Sequence, residues 1–214
     1  MATPKKWSNV AVAMESARAA AKSITGISKA SPGVVSSTAH GYTNGDYVLL
    51  VVQGMYQVNG RVFRVAGSAT DSFSLEGENT TNYDTFTSGN AYKITFGTSI
   101  GTITSVSQSG GDFDFIDTTT IHGNQRSQIP GAASPLSYTF DNIWDPSDAG
   151  LLALKAAYDA QTDKCFRFTF GTGGSIAAFN GFCGASLAPG GSAQGLVTTS
   201  TTITAFGSPT YYAS

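Results

Sequence analysis

Short stretches of alternating or continuous apolar residues, separated by glycine-containing turns, run along most of the chain. Between residues 24 and 94 they are closely spaced, and Asn44-Gly45 and Asn59-Gly60 predict turns because both residue types tolerate positive φ. The strands predicted in this segment are 24–30, 34–38, 46–52, 61–66 and 72–75. The pattern indicates a small, self-contained antiparallel β unit.

Longer strands are predicted after residue 95. They are 98–108, 113–119, 136–140, 165–170, 176–186 and 196–206. Residues 120–134 have no periodicity and form a long predicted loop, and such loops in compact domains usually serve a function. At the N-terminus a strand is predicted from Trp7 to Ala13, while Arg18 to Ala21 stays open between strand and helix.

A single helix is predicted after residue 145. Asp145 is the predicted N-cap, Pro146 suits the first helical position, and Asp148 lies in the first turn, where the helix dipole favours an acid. An apolar stripe at helical spacing follows, made of Leu151, Leu154 and Tyr158 with Leu152 beside them.

The chain is poor in charge. Charged residues make up 12% of the 214 residues, against about 25% in an ordinary globular domain. The hydrophobic share is 41% and the formal net charge is −2, so Ser, Thr and Gly replace the missing charge. A free monomer usually keeps a mixed, charged surface, so this composition suits a subunit covered by copies of itself.

Composition also argues against several classes of protein. No apolar run reaches the about 18 residues of a membrane-spanning helix, and the first residues lack a signal-peptide pattern, which predicts a protein that stays in the cytoplasm where it is made. The 12 basic and 14 acidic residues form no basic patch, so tight binding to nucleic-acid phosphates is not expected.

The two cysteines, Cys165 and Cys183, flank a predicted hairpin turn at residues 171–174 and are expected almost opposite each other. In a reducing compartment they are interpreted as two small buried apolar side chains. A cross-strand disulfide is the alternative.

The residues that usually carry catalysis are scarce. His40 lies in a turn-rich connection and is interpreted as a turn or edge residue, and His122 lies in the long loop without acidic or cysteine neighbours at ligand spacing. No zinc-protease, CxxC or Walker-type motif is present. The sequence therefore predicts no catalytic residue, no metal site and no cofactor.

One acidic cluster, Asp112, Asp114 and Asp117, follows Gly110-Gly111. Because Asp112 and Asp114 alternate with Phe113 and Phe115, both carboxylates are expected on one face of a strand, with the phenyl rings towards the core. The ordinary interpretation is a solvated face; in a channel lining the same pattern places negative charge in the channel.

The order of these elements resembles the tail tube protein of long-tailed bacteriophages. The resemblance is carried by Trp144-Asp-Pro-Ser-Asp-Ala-Gly-Leu-Leu152, by Lys164-Cys-Phe-Arg-Phe-Thr-Phe170 with its turn, and by Phe179-Asn-Gly-Phe-Cys-Gly184. It covers residues 95–214 and extends to the first 23. Residues 24–94 resemble a small β module inserted in phage structural proteins, with Ala39-His-Gly41 and Gly45-Asp46 as its marker.

The resemblance implies a mainly β fold: an antiparallel β-sandwich or β-barrel tail-tube core with one α-helix, plus a small inserted all-β domain. Residues 1–23 and 95–214 would form the discontinuous core domain. Residues 24–94 would form the inserted β domain on the tube exterior. Adhesion to host surface glycans, stabilisation of the tube and no essential role are the alternatives for it.

The resemblance also implies a structural virion protein without enzymatic activity. Its copies would form homohexameric rings that stack into a tube, with tail tip, tape measure and terminator proteins as further partners. The lumen would conduct DNA, which the protein would contact only while the DNA passes through the tube. The tube would be assembled in the host cytoplasm and reside in the virion tail.

Two sets of site residues follow from this resemblance. Asp112 and Asp114 are expected to face the lumen and repel phosphates. The loop after them is expected to contact the next ring, through Asp117, His122, Gln125, Arg126, Gln128 and Ile129.

Two other functions are alternatives. A monomeric carbohydrate-binding or adhesin β-protein would carry a signal peptide and clustered exposed aromatic residues. A glycosidase would use two of Asp112, Asp114 and Asp117 as paired carboxylates in a cleft. No motif supports the enzyme, and the carboxylate spacing suits a solvated strand better.

Overall fold

A computed structural model describes residues 7–171 and 173–213 of the chain. Residues 1–6, 172 and 214 lie outside this description, and with them the chain start and one residue of the predicted 171–174 turn. As predicted, the fold is mainly β, with 50% of residues in strands and 7% helical. The helix α1 is Ala149–Asp159.

The first strands alternate with short turns and one 3-10 turn, Tyr56–Val58. They are β1 (Val10–Arg18), β2 (Lys22–Ile24), β3 (Gly26–Ile27), β4 (Val34–Ser36), β5 (Tyr47–Gln53), β6 (Val62–Ala66) and β7 (Ser72–Leu75). The later strands are β8 (Ser88–Ser99), β9 (Ile103–Ser109), β10 (Phe113–Asp117), β11 (Gln128–Ala133), β12 (Ser137–Ile143), β13 (Asp163–Phe170), β14 (Ile176–Gly184) and β15 (Thr198–Tyr212).

Thirteen of these strands form one antiparallel sheet that curls into a half-barrel. The order along it is β3-β4-β7-β6-β5-β8-β1-β13-β14-β15-β12-β9, with β2 paired to β8 beside this path. The two remaining strands, β10 and β11, form a separate two-stranded sheet. The main sheet therefore ends at β3 on one side and at β9 on the other.

Three clusters of buried side chains hold the sheet. The main cluster joins α1 to the curled sheet and contains Phe140, Leu151, Leu154, Phe166 and Phe179. A second cluster lies within the first part of the chain and is built around Phe63 and Phe73. A third, smaller cluster connects the two halves and contains Tyr47, Leu49, Val62, Ile94, Cys165, Ala178 and Tyr212.

The long strand β8 runs through both halves. Its first part pairs with β2 and β5, and its last part pairs with β1. The predicted boundary between residues 94 and 95 lies inside this strand, so the sheet is continuous across it. The division into two domains stays a prediction.

Two strand predictions after residue 95 are wrong in detail. The predicted strand 98–108 is interrupted between β8 and β9 at Ile100–Thr102, and the predicted loop 120–134 contains β11. The sequence signal was hidden because β11 includes Pro130 and Gly131, which are tolerated in a strand that is paired on one side only.

The helix was predicted correctly, but its start and its buried face were not. The N-cap is Asp148, whose Oδ1 accepts a hydrogen bond from the Leu151 N–H at 2.8 Å. Asp145 instead accepts the Ser147 N–H and closes a turn before the helix. Tyr158 is 43% exposed, because the buried stripe continues through Ala157.

The expectation that the cysteines lie opposite each other is wrong. Cys165 pairs with Asn180 across β13 and β14, and Cys183 pairs with Ile203 of β15. Both thiols are free, the first buried and the second partly buried. Burial raises the pKa of Cys183 to about 12, with only a small opposing effect from the Lys164 charge.

Candidate assembly surfaces

The strand β9 at the end of the main sheet pairs with β12 and, among the described residues, with no strand on its other side. An unpaired edge offers a row of backbone N–H and C=O groups to another chain. This edge is a candidate site for association.

A cavity of about 380 Å³ lies between this edge and the start of β1. Its apolar lining comes from Trp7, Val10, Ile100, Ile103 and Val106. The Trp7 side chain is 57% exposed and its ring lies edge-on to Phe170, with the ring centroids 5.2 Å apart. The sheet edge is thus flanked by apolar side chains.

The strands β10 and β11 form a hairpin, residues 111–134, which we call the arm. Two backbone hydrogen bonds close its base, from Gly111 N–H to the Ser134 carbonyl at 3.1 Å and from Ser134 N–H to the Asp112 carbonyl at 2.8 Å. Gly110 precedes the arm with φ +80, and a side chain there would collide with the Pro135 carbonyl. Glycine is therefore required at the point where the chain leaves β9.

The arm carries large apolar side chains that contact no core. They are Phe113, Phe115, Ile116, Ile121 and Ile129, which are 55%, 62%, 55%, 97% and 51% exposed. The expectation that the phenyl rings face the core is wrong, because β10 pairs with β11 and is not part of the main sheet. Exposed apolar patches of this kind mark interaction sites.

The acidic residues predicted for the lumen, Asp112 and Asp114, lie exposed near the base of the arm. A register shift between Phe113 and Phe115 places a bulge at Asp114. The arm is directly continuous with β9 through Gly110. Asp112 and Asp114 thus follow the last residue of β9, Ser109, by three and five residues.

The residues predicted for ring contact are all exposed and all lie on the arm. Asp117 ends β10 opposite Gln128, and Ile129 lies opposite Ile116 on β11. His122, Gln125 and Arg126 lie in the tip between the two strands.

The tip has an ordered base. The Asp117 carboxylate accepts the Thr119 N–H at 2.7 Å, and the hydrogen bonds from Thr119 hold the pKa of Asp117 below its usual range. Thr118 donates its N–H to the Ser127 carbonyl at 2.8 Å, which continues the pairing beyond the strands. The arm therefore presents a defined surface.

A buried polar cluster, which sequence reasoning missed, joins β1 to β13. Glu15 is 3% exposed, and its carboxylate accepts the Arg18 Nε–H and Nη2–H groups at 2.9 Å each and the Cys165 N–H at 3.0 Å. Arg18 also lies 3.2 Å from Asp163, which accepts the Asn180 amide. No spacing in the sequence predicted this cluster, because its members come from strands about 150 residues apart.

His40 lies in the turn-rich connection between β4 and β5, as predicted, but it is buried and is not an edge residue. It is 3% exposed, with ring centroids 4.9 Å from Tyr42 and 5.1 Å from Phe73. Its Nδ1 accepts the Tyr42 N–H, so its Nε2–H donates to the Ser72 carbonyl. The ring is thus a hydrogen-bonded part of the second cluster.

Within the part of the chain that the structure describes, no three His, Cys, Asp or Glu side chains are grouped so that they could hold a metal ion. The same residues include no helix of the length and apolarity needed to cross a bilayer.

The chain matches the family described as phage tail tube protein, TTP, over residues 53–214. It belongs to the phage tail tube protein family. The match includes the arm, α1 and every strand from β6 onward, and it begins within the predicted inserted module. Membership makes the chain a structural component of the virion tail, as predicted. No curated protein matches the chain.

Proposed function

We propose that six copies of the chain form a ring and that rings stack into a tube whose lumen conducts DNA. The observation that carries the proposal is one folded chain with an unpaired sheet edge and an exposed apolar arm. Both features are costly in a monomer and are removed by association with further copies.

The free edge supports ring closure. Where β9 of one copy pairs with a strand of the next copy, the sheets become one continuous barrel wall and the β9 edge is no longer unpaired. The helix α1 packs on one face of the half-barrel, and the part of the opposite face that Tyr47, Leu49 and Val62 do not cover remains to line the interior. The helix therefore lies outside the wall.

The arm supports stacking. A head-to-tail contact that does not close on itself produces an open filament, as a tube of rings requires. Phe115, Ile116 and Ile129 supply apolar area, while Asp117, His122, Gln125, Arg126 and Gln128 supply polar groups for an interface. We assign the inter-ring contact to this arm.

The rest of the chain has a structural role in the same assembly. Residues 24–94 form the inserted β domain on the exterior, residues 1–23 and 95–214 the tube core, and neither has a catalytic role. The other partners are the tail tip, tape measure and terminator proteins, which meet the tube at its ends or within it. Assembly takes place in the host cytoplasm.

Electron microscopy of the purified protein over a range of concentrations tests the proposal. Rings of six copies or hollow tubes are expected, with tubes more abundant at high concentration. A species that stays monomeric even with tail tips present to nucleate assembly, and that binds glycans, contradicts the tube and indicates the adhesin instead.

The arm contact has its own test. Replacing Ile116→Ser and Ile129→Ser together removes an exposed apolar pair without touching the core, so the free energy of unfolding should change by less than about 0.5 kcal/mol. Rings should persist and stacking should be lost, as measured by sedimentation and microscopy. Thr120→Ser on the same arm is the control, and normal tubes from the double variant would exclude the arm as the contact.

The expected lumen position of Asp112 and Asp114 is tested by replacing both with Lys. Assembly should be unchanged because both side chains are exposed. Genome delivery should fall because cations in the lumen bind DNA phosphates. Infectivity equal to that of the unmodified phage would overturn the lumen assignment of these two residues.

A further inference from the structure

Three neighbouring strands at the free end of the main sheet carry a regular array of small polar side chains. The pairing registers of β9, β12 and β15 align them in three rows. The rows, which together we call the hydroxyl array, are Ser109-Ser137-Thr204, Ser107-Thr139-Thr202 and Ser105-Asp141-Ser200. Every member except Asp141 carries a hydroxyl group.

Side-chain contacts confirm that the rows share one face. Thr139 Oγ1 lies 3.3 Å from Thr202 Oγ1, and Ser137 Oγ lies 3.4 Å from Thr204 Oγ1. The Ser105 hydroxyl donates to the Asp141 carboxylate at 2.6 Å. All members are exposed or half-buried, so the array meets solvent.

The opposite face of the same strands is apolar and covered. Tyr138, Phe140 and Ile203 alternate with array residues and pack in the main cluster with Leu151 and Leu154 of α1. The array therefore lies on the side of the sheet that α1 does not cover, next to the β9 edge, where a neighbouring copy would continue the sheet in the proposed ring.

The array has no cation. The sequence between Ile94 and Leu154 contains a single basic residue, Arg126 at the tip of the arm, and no Lys or Arg follows Arg167. Basic residues are thus absent from β9, β12 and β15. The single charge of the array is Asp141.

We infer that the hydroxyl array lines the bore of the tube and is the surface that faces duplex DNA in transit. The inference rests on the proposed tube. Joined at β9 around a ring, the arrays of successive copies form a continuous, hydrated and nearly uncharged band. Hydroxyl groups then form the wall of the bore, and each copy contributes one carboxylate, Asp141, to this band.

Such a wall suits passage better than binding. Affinity for a duplex comes mainly from the release of counterions when Lys and Arg neutralise phosphates, and a wall of Ser and Thr releases none. Hydroxyl groups keep a water layer by donating and accepting hydrogen bonds. The DNA therefore contacts a water layer, is weakly repelled by the Asp141 carboxylates, and can slide along the wall.

Cysteine accessibility in assembled tubes tests the inference. Ser107→Cys, Thr139→Cys and Thr202→Cys place a thiol in the central row on three different strands. Thr70→Cys, an exposed position of the first half of the chain, is the control. Intact tubes are treated with maleimide-biotin, which is small enough to enter a bore, and then with streptavidin, which is too large. Labelling of the unmodified protein gives the background from the native cysteines.

The three central-row variants should take up biotin in intact tubes, while bound streptavidin is absent until the tubes are dissolved. Streptavidin should decorate intact Thr70→Cys tubes. Streptavidin on intact tubes of the central-row variants would place the array outside. Loss of biotin uptake on assembly, or loss of assembly in all three variants, would make the array a contact between copies. Either result overturns the inference. If the unmodified protein forms no tubes even when tail tips are present to nucleate assembly, the proposed function fails instead.

Discussion

Glu15 shows how a single buried side chain ties the strands together. Burial raises its pKa, but the hydrogen bonds from Arg18 and the Cys165 N–H, together with the Arg18 charge, outweigh burial and leave the pKa below its ordinary value. The same holds for Asp163. Burial raises its pKa, but the hydrogen bond from Asn180 and the charge and hydrogen bond of Arg18 outweigh burial, so the pKa is below its ordinary value. Both carboxylates thus stabilise the folded chain only while ionised.

Their contribution to stability depends on pH. Because both pKa values are lower in the folded than in the unfolded chain, the stabilisation is complete above the unfolded values of about 4 and is lost as pH falls through the folded values. Acidification below about pH 4 is therefore expected to loosen the junction of β1 with β13.

Replacing Glu15→Gln should lower the free energy of unfolding by about 2 kcal/mol at pH 7, since hydrogen bonds to a charged group are lost. The difference from the unmodified chain should shrink as pH falls below the unfolded value of about 4 and through the lower folded pKa of Glu15. Urea unfolding at several pH values measures it, with Asp84→Asn as an exposed control. A difference that does not vary with pH would contradict the assigned role.

At the scale of elements, the helix α1 illustrates how a cap is chosen among neighbouring acids. Asp145 and Asp148 both precede the helix, and each accepts hydrogen bonds from backbone N–H groups. Asp148 alone bonds a helical N–H, that of Leu151, because Gly150 lets the helix approach the Ser99 carbonyl at a distance that a side chain would prevent. Tertiary packing therefore sets where the helix begins.

Asp148→Ala should destabilise the folded chain by about 1 kcal/mol through loss of the cap. The matched variant Asp145→Ala removes only a turn contact with Ser147 and should cost less. Denaturant unfolding of the two variants compares them directly. A larger loss of unfolding free energy in Asp145→Ala than in Asp148→Ala would mean that Asp145, the residue predicted from the sequence, is the N-cap.

At the scale of the whole molecule, the end of β15 connects the two halves of the chain. The Tyr212 hydroxyl accepts the Arg64 N–H at 2.7 Å, and the Arg64 guanidinium lies over the Tyr212 ring, 4.6 Å from its centre. Thr210 donates its hydroxyl to the Val62 carbonyl at 2.7 Å. The last strand thus fixes β6 against β14.

Tyr212→Ala should therefore lower the free energy of unfolding by about 3 kcal/mol, because a buried ring and its hydrogen bond are lost from the third cluster. Tyr211, the neighbouring residue, is 70% exposed and supplies the control Tyr211→Ala, with an expected change below about 0.5 kcal/mol. Thermal unfolding and protease sensitivity of residues 24–94 measure the effect. Equal stability of the two variants would mean that β15 does not hold the two halves together.

Strands with a clear period of two were predicted well. Ser72–Leu75 was predicted with its exact bounds, and Val62–Ala66 and Tyr47–Gln53 within one residue, since their apolar sides face a core formed nearby in sequence. The long strand β8 was missed from Ser88 to Gly97. At its start, Gly89 and the polar residues beside it give no apolar alternation. Backbone hydrogen bonds to β5 and β2 hold this segment as a strand, although its local sequence lacks a strand pattern.

The candidate surfaces were predicted in part. Segment 117–134 was predicted to be functional from its length and lack of periodicity, and all six residues singled out in it are exposed on the arm. The orientation of Phe113 and Phe115 was wrong, because alternation states which residues share a face but not whether a core lies on that face. The hydroxyl array could not be predicted from the sequence for the same reason. Its rows are defined by the pairing registers of three strands, which the sequence pattern does not give.

The sequence by itself determined the class of fold, the existence of the helix, the shortage of charge and the family, because each depends on composition and on patterns read over a few neighbouring residues. The tertiary structure alone decided which strand ends the sheet, where the arm leaves it and which polar residues align on one face. These depend on pairing between strands distant in sequence. A single residue of register changes which face every later side chain occupies.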